Sequence, residues 1–221
     1  MSTSIIFDHG SAKAAQCFAL FATYNIASTN TITVTRGTTS GASDVLSLSA
    51  VTCWPFTPLD GVYDGSHFGI IVVAPSETTA RYTKIYVNTA SYCRIGRTFV
   101  GPLFNPTYKT EVNNETDDWL PDFSTVERTE NGADWAAVRS RLRSKKMGFN
   151  LLSDAETSKL HEMQRLHGIT SEYVVIPDMD DRARTQQYGF LATARQLSSL
   201  EWPHSLWRGV ALGFDERGGA P

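Results

Sequence analysis

The sequence predicts a mainly β protein with an α+β part, a β-sandwich followed by a compact β-α-β-β unit. Three observations predict it. Short runs of strand-forming residues recur between positions 19 and 100 with turn residues between them. A helix with sequence-encoded caps opens at Ser153 and is followed by further strand runs. Hydrophobic residues make up 41% of the chain and charged residues only 19%, below the usual quarter, which suits a folded β-protein rich in Thr, Ser and Asn.

The elements follow in order. Ala19 to Tyr24 is an apolar run broken by Thr23. Thr31-Ile32-Thr33-Val34-Thr35 alternates, Ile and Val on one face and Thr on the other, the signature of a half-buried strand. Residues 37–41 read as a loop. Val45, Leu46, Leu48 and Val51 suggest a further strand, and Phe68 to Val73 is continuous enough to be fully buried. Ala80 to Val87 alternates again, with Tyr82, Lys84 and Tyr86 opposite Thr83, Ile85 and Val87. Cys93 to Val100 is the next strand. Gly96 and Gly101 permit a bulge or close backbone approach there, and Pro102 and Pro106 end the ladder because neither donates a hydrogen bond.

Residues 105–134 read as a long connection holding Glu111, Glu115, Asp117, Asp118 and Asp122. Connections of this length are usually functional or mobile. From 135 the character changes. Residues 138–143 alternate so that Arg139, Arg141 and Arg143 share one strand face with Lys145 in register. Ser153 as N-cap and Glu156 at N3 form a capping box. The helix runs to about His167, with Met163 and either Leu160 or Leu166 on its apolar face, and Gly168 closes it. Tyr173 to Pro177, Gln187 to Thr193 and Trp207 to Phe214 read as strands, and Asp178 to Asp181 as a turn. The division is a sandwich at 1–104, a connecting segment at 105–134 and an α+β unit at 135–221.

The chain has 221 residues and a net charge of −3, so whole-chain nucleic-acid binding is not indicated. Cys17, Cys53 and Cys93 are an odd set without C-x-x-C spacing, which points to reduced buried thiols rather than disulfides or structural zinc. The N-terminus has no basic region and too short an apolar run for a signal peptide. The longest apolar stretch, Gly69 to Ala74, is far below a membrane span.

The segment Tyr92-Cys93-Arg94-Ile95-Gly96-Arg97-Thr98-Phe99-Val100-Gly101-Pro102 resembles an "IGR-hydrophobic-Phe-hydrophobic-Gly" segment of tail proteins of long-tailed bacteriophages. Asp122 to Gly132 is similar to a second tail pattern, with Asn131-Gly132 where Gly-Gly is expected. Residues 29–36 and 80–101 resemble jelly-roll sandwiches of the discoidin or galactose-binding type, and 135–215 the belt domain of distal tail proteins. The resemblance covers most of residues 80–216 and is strongest at 92–106. It implies a jelly-roll-like β-sandwich plus a belt-like β-α-β-β unit. It also implies a structural, non-enzymatic component of a siphophage tail tip, a distal tail or baseplate protein assembled in the host cytoplasm into the virion. The expected partners are further copies of the chain in a ring and other tail proteins, with no membrane, nucleic acid or cofactor.

Several residues invite chemical readings. Arg139, Arg141, Arg143, Lys145 and Lys146 form a basic face that suits a neighbouring subunit's acidic loop, with Asp117 and Asp118 as its partners. The alternative function is a carbohydrate-binding module. It would stack a sugar on Trp54, Tyr63 and His67, with Trp202 and Trp207 as further loop aromatics. The competing reading of Trp54-Pro55-Phe56 is an aromatic plug in the core or an interface. His161 and His167 are six positions apart, roughly 240° around a helix, so they cannot bind one metal as an H-x-x-x-H pair would. Asp178, Asp180 and Asp181 lack the glycine and distal Glu of a calcium loop. No G-x-S-x-G is present, and Gly65-Ser66-His67 lacks a strand-turn-helix context. No catalytic or metal-binding residue is expected.

Overall fold

A computed structural model describes residues 2–58, 68–89, 92–108, 116–119, 124–128, 134–137, 142–179, 181–196 and 208–217. The fold is mainly β with an α+β part, as the sequence predicts. The chain divides into two units: residues 1–103 with 174–190 and 219–221, and residues 104–173 with 191–218. Segment 174–190, which the sequence division kept with the α+β part, belongs by its contacts to the first unit.

The first unit is built on one five-stranded antiparallel sheet in the order β3-β2-β4-β1-β5. Its strands are β1 (Ser2–Tyr24), β2 (Thr31–Gly37), β3 (Leu46–Thr52), β4 (Ile70–Asn88) and β5 (Arg94–Gly101). The runs expected at 68–73 and 80–87 are parts of the single strand β4. Its later stretch, Tyr82 to Asn88, lies between β1 residues 2–8 and β2. Its first stretch, Ile70 to Val73, pairs with Cys17 to Leu20, and that part of β1 also pairs with β5.

Ile32, Val34, Ile85 and Val87 from one half of the sheet share a buried cluster with Phe18, Leu20, Ile70 and Val72 from the other. The sandwich is therefore one sheet folded over at β1 and β4. The fold comes where the β1–β4 register shifts twice, between Asp8 and Lys13 and between Ala15 and Cys17. Such bulges bend strands and increase their twist.

The corner is filled by Arg36, which has no exposed surface. Its guanidinium donates to the carbonyls of Lys13 (2.6 Å), Ala15 (3.3 Å) and Ala80 (3.2 Å), and to that of Thr78. Lys13 pairs with Ala80 and Ala15 with Thr78, so all four acceptors lie in the short ladder between the two shifts. Gln16 Nε2 donates to the Ala74 carbonyl (3.0 Å) beside the second shift.

Segment 174–190 carries α2 (Arg182–Tyr188), N-capped by the Asp181 carboxylate, which accepts from the Ala183 N–H (2.8 Å). This corrects the strand expected to start at Gln187: β11 (Phe190–Gln196) begins after the helix. Seven residues with no apolar stripe bury Thr185 and Gln186 instead of aliphatic side chains, so hydrophobic periodicity carries no helix signal here.

The second sheet has the order β10-β11-β12-β9-β6, with β6 (Thr116–Trp119), β9 (Ser144–Leu152), β10 (Glu172–Val175) and β12 (Arg208–Glu216). A separate hairpin joins β7 (Thr125–Arg128) to β8 (Asp134–Ala137). The connection expected at 105–134 thus contains strands. Helix α1 (Asp154–His167) has the capping box its sequence encodes, and Gly168 closes it with φ +56°, a conformation costly for residues with a Cβ. Its buried residues are Thr157 and Leu160, while Leu166 is 60% exposed. Tyr173 sits edge-on to Phe214 (5.8 Å) and donates its hydroxyl to the Gly168 carbonyl (2.7 Å).

Cys17, Cys53 and Cys93 are free and buried. Among the described residues no helix is long and apolar enough to cross a membrane.

Candidate functional site

The segment that carries the strongest resemblance is β5. Among the described residues it pairs on one side only, with β1, so its other edge presents backbone donors and acceptors outside the ladder. Ile95 and Val100 pack against the core cluster and anchor the strand. Gly96 has a packing reason. Between the paired positions Phe21–Arg97 and Thr23–Ile95, Ala22 adopts φ +51°, and a Cβ on Gly96 would lie 2.7 Å from the Ala22 methyl. Pro102 follows the strand immediately and cannot extend the ladder.

Two tyrosines flank the start of this edge. Tyr92 is 68% exposed and Tyr24 is 64% exposed. Tyr24 lies directly opposite Arg94, and Arg94 is also exposed. Asn25, with φ +61°, donates from Nδ2 to the Tyr92 carbonyl (3.4 Å) and ties the two chain segments together. Behind them, the buried Cys93 thiol donates to Thr3 Oγ1 (3.4 Å). An open strand edge beside exposed tyrosine and arginine can accept a further strand through its backbone and bury aromatic area on a partner. Tyr24 was hidden in the sequence, because it ends an apolar run that otherwise reads as core.

The structure describes only some of the residues singled out from sequence. Trp54 offers no face to a sugar. It is 3% exposed, its indole N–H donates to the Ile26 carbonyl (2.8 Å), and Phe56 stands edge-on to it (6.2 Å). This is the aromatic-plug arrangement, and it removes Trp54 from the glycan set. Tyr63, His67, Trp202 and Trp207 lie outside the described residues, as do Arg139 and Arg141.

Arg143 precedes β9 instead of lying on a basic strand face. Its guanidinium grips Glu216 (Nη2 to Oε1 2.6 Å, Nε to Oε1 3.0 Å), and its N–H donates to Oε2 (2.7 Å). The β6–β9 register sets Asp117 opposite Lys146 and Asp118 opposite Lys145. This register places Asp117 and Asp118 on the strand beside β9 within one chain.

His161 and His167 are both exposed on α1, and His167 sits edge-on to Tyr173 (5.9 Å). Asp178 pairs with Arg184 (3.3 Å) and Asp181 caps α2, while Asp180 lies outside the described residues. Among the described residues no group of three or more His, Cys, Asp or Glu side chains is arranged to hold a metal ion. Burial pushes the thiols of Cys17 and Cys53 up to about 12, far from the range of a reactive thiolate. No protein-family model matches the chain, and no curated protein sequence matches it.

Proposed function

We propose that this protein is a structural component of a bacteriophage tail tip, a distal tail or baseplate ring protein that links the tail tube to host-recognition parts. In this reading it self-associates through the outer edge of β5 and performs no catalytic step. One observation carries the proposal: within the tail-like segment, β5 pairs with β1 alone among the described residues, and exposed Tyr24 and Tyr92 flank its start. A ring needs a heterologous contact, one surface patch meeting a different one in each subunit. A strand edge with aromatic anchors is suited to one side of such a contact.

Native mass spectrometry of the purified chain, alone and mixed with tail proteins, tests the reading. The wild type is expected to form a closed oligomer. The double variant Tyr24→Asp, Tyr92→Asp is expected to stay monomeric with an unchanged melting temperature, because both side chains are exposed. A wild type that stays monomeric under all these conditions, or a double variant that assembles normally, would refute it.

A further inference from the structure

The first unit contains a second feature, independent of the tail-tip reading. Its folded sheet has a seam. Among the described residues, strand β3 pairs only with β2, and the first stretch of β4, Ile70 to Val73, pairs only with β1. Segment 174–190 bridges these two edges through α2. Arg182 donates to the Thr52 carbonyl at the end of β3, and Gln186 Nε2 donates to the Ile71 carbonyl of β4 (3.3 Å). Between the bridges a cleft of about 240 Å³ stays open, lined by Leu48, Val51, Val73 and Met179 together with Arg182 and Thr185.

The two arginines of α2 differ. Arg184 is exposed and paired with Asp178 and Asp181. Those are the carboxylates that would otherwise be nearest to Arg182 along the described chain. Arg182 is half-buried and gives a hydrogen bond to a backbone carbonyl, and among the described residues no carboxylate pairs with it. Burial pulls its pKa down, partly offset by the nearby Cys53 thiol. A partly desolvated cation without an anion is costly. A guanidinium has five N–H donors in a planar fork, enough to take a carboxylate while keeping the Thr52 carbonyl.

We infer that this cleft binds a small aliphatic carboxylate, with the acid group on Arg182 and the hydrocarbon chain against Leu48, Val51, Val73 and Met179. The charge-assisted pair fixes one end of the ligand, and the apolar wall takes the other. At about 30 Å³ for each water-sized unit, the cleft has room for roughly eight heavy atoms. That is smaller than a drug-sized site and selects a short-chain acid.

Isothermal titration calorimetry of the full chain with hexanoate, which has eight heavy atoms, tests this. One-to-one binding is expected, weakening about fourfold for each methylene removed, with hexanol at least about tenfold weaker than hexanoate because a neutral hydroxyl loses the charge-assisted bond. Arg182→Gln should weaken hexanoate binding by about tenfold or more. Because Arg182 also holds the β3 edge, a second variant is needed: Met179→Trp fills the cleft and leaves Arg182 in place, and it should abolish binding without lowering the melting temperature. Absence of hexanoate binding to the wild type, equal binding of hexanol, or full binding by Met179→Trp would overturn the inference.

Discussion

The Nε of Arg36 donates to the hydroxyl of Thr83 at 3.2 Å, and neither residue has any exposed surface. Arginine can only donate, so the Thr83 oxygen accepts and its proton is free for another group. His9 Nε2 lies 3.1 Å from that oxygen. The hydroxyl thus connects the buried guanidinium to the outermost bend of β1, while the other guanidinium nitrogens hold the four carbonyls at the sheet's fold. Replacing Arg36 with Met should leave those carbonyls without their donor, at about 1–3 kcal/mol for each buried group left unpaired. A loss of at least about 3 kcal/mol in urea unfolding is expected. Arg36→Lys should recover less than half of it, because a compact ammonium cannot span both residue pairs. A Met variant within about 0.5 kcal/mol of wild type, the range of an ordinary surface change, would show that the corner does not depend on Arg36.

The same hydroxyl makes stability depend on pH through His9. Partial burial lowers the His9 pKa, the charge of Arg36 lowers it further, and Asp8 and Lys13 act in opposite directions. A neutral Nε2 accepts the Thr83 proton, whereas a protonated ring competes with Arg36 for the same oxygen. The folded state therefore favours neutral His9. Its contribution is present above the ordinary histidine pKa and is lost as pH falls below it. Between about pH 7 and about pH 5, the wild-type melting temperature should fall more than that of His9→Gln, whose amide oxygen can still accept from Thr83. Parallel curves would remove His9 from the account.

Some of this fold was legible in the sequence. In β2 the alternation of Ile32 and Val34 with threonines gives the buried face directly, and the same period adds Arg36 to it. Counting one step further along that face would have found the buried arginine. The Ser153–Glu156 capping box was also legible, because local hydrogen bonding alone defines it. The first seventeen positions of β1, before Ala19, were not. There the inner face, Thr3, Ile5, Phe7 and His9, is only half-buried and chemically mixed, and the strand exists because β4 pairs with it. The open edge at β5 and the Arg182 cleft are tertiary facts, since both depend on which strands fail to find a neighbour. The backbone register that sets Asp117 and Asp118 opposite Lys146 and Lys145 is of the same kind, since charge segregation along the sequence does not encode it.

Trp54 provides a test of the core. Its ring is enclosed with Phe56, and Phe56 stands edge-on to Phe68 at 5.0 Å. Trp54→Ala should cost about 3–5 kcal/mol, the range for truncating a buried large aromatic. Trp54→Phe should cost less but leave the Ile26 carbonyl without its indole donor. Equilibrium unfolding measures both. An alanine variant with wild-type stability would mean that the ring is not packed as described.

The start of α1 gives the most constrained prediction. Glu156 Oε2 accepts from the Ser153 N–H (2.8 Å) and hydroxyl (2.6 Å), and Oε1 accepts from the Thr107 N–H (2.7 Å) and hydroxyl (2.9 Å). One carboxylate thus closes the capping box and fastens the preceding loop to the helix. Burial alone would raise its pKa, but these hydrogen bonds to the charged form outweigh burial and hold it at about 2. The group is depressed in the folded state. Its stabilisation is therefore complete above the ordinary glutamate range and disappears as pH falls toward about 2. Glu156→Gln keeps the shape but turns one acceptor oxygen into a donor, so the Ser153 or the Thr107 bonds must go. A loss of about 1–2 kcal/mol near neutral pH is expected. The gap between variant and wild type should close on acidification, because the wild-type side chain then becomes neutral as well. Melting curves taken across that range decide the matter, and a gap that stays constant down to low pH would mean that the charge of Glu156 plays no part in holding the loop to the helix.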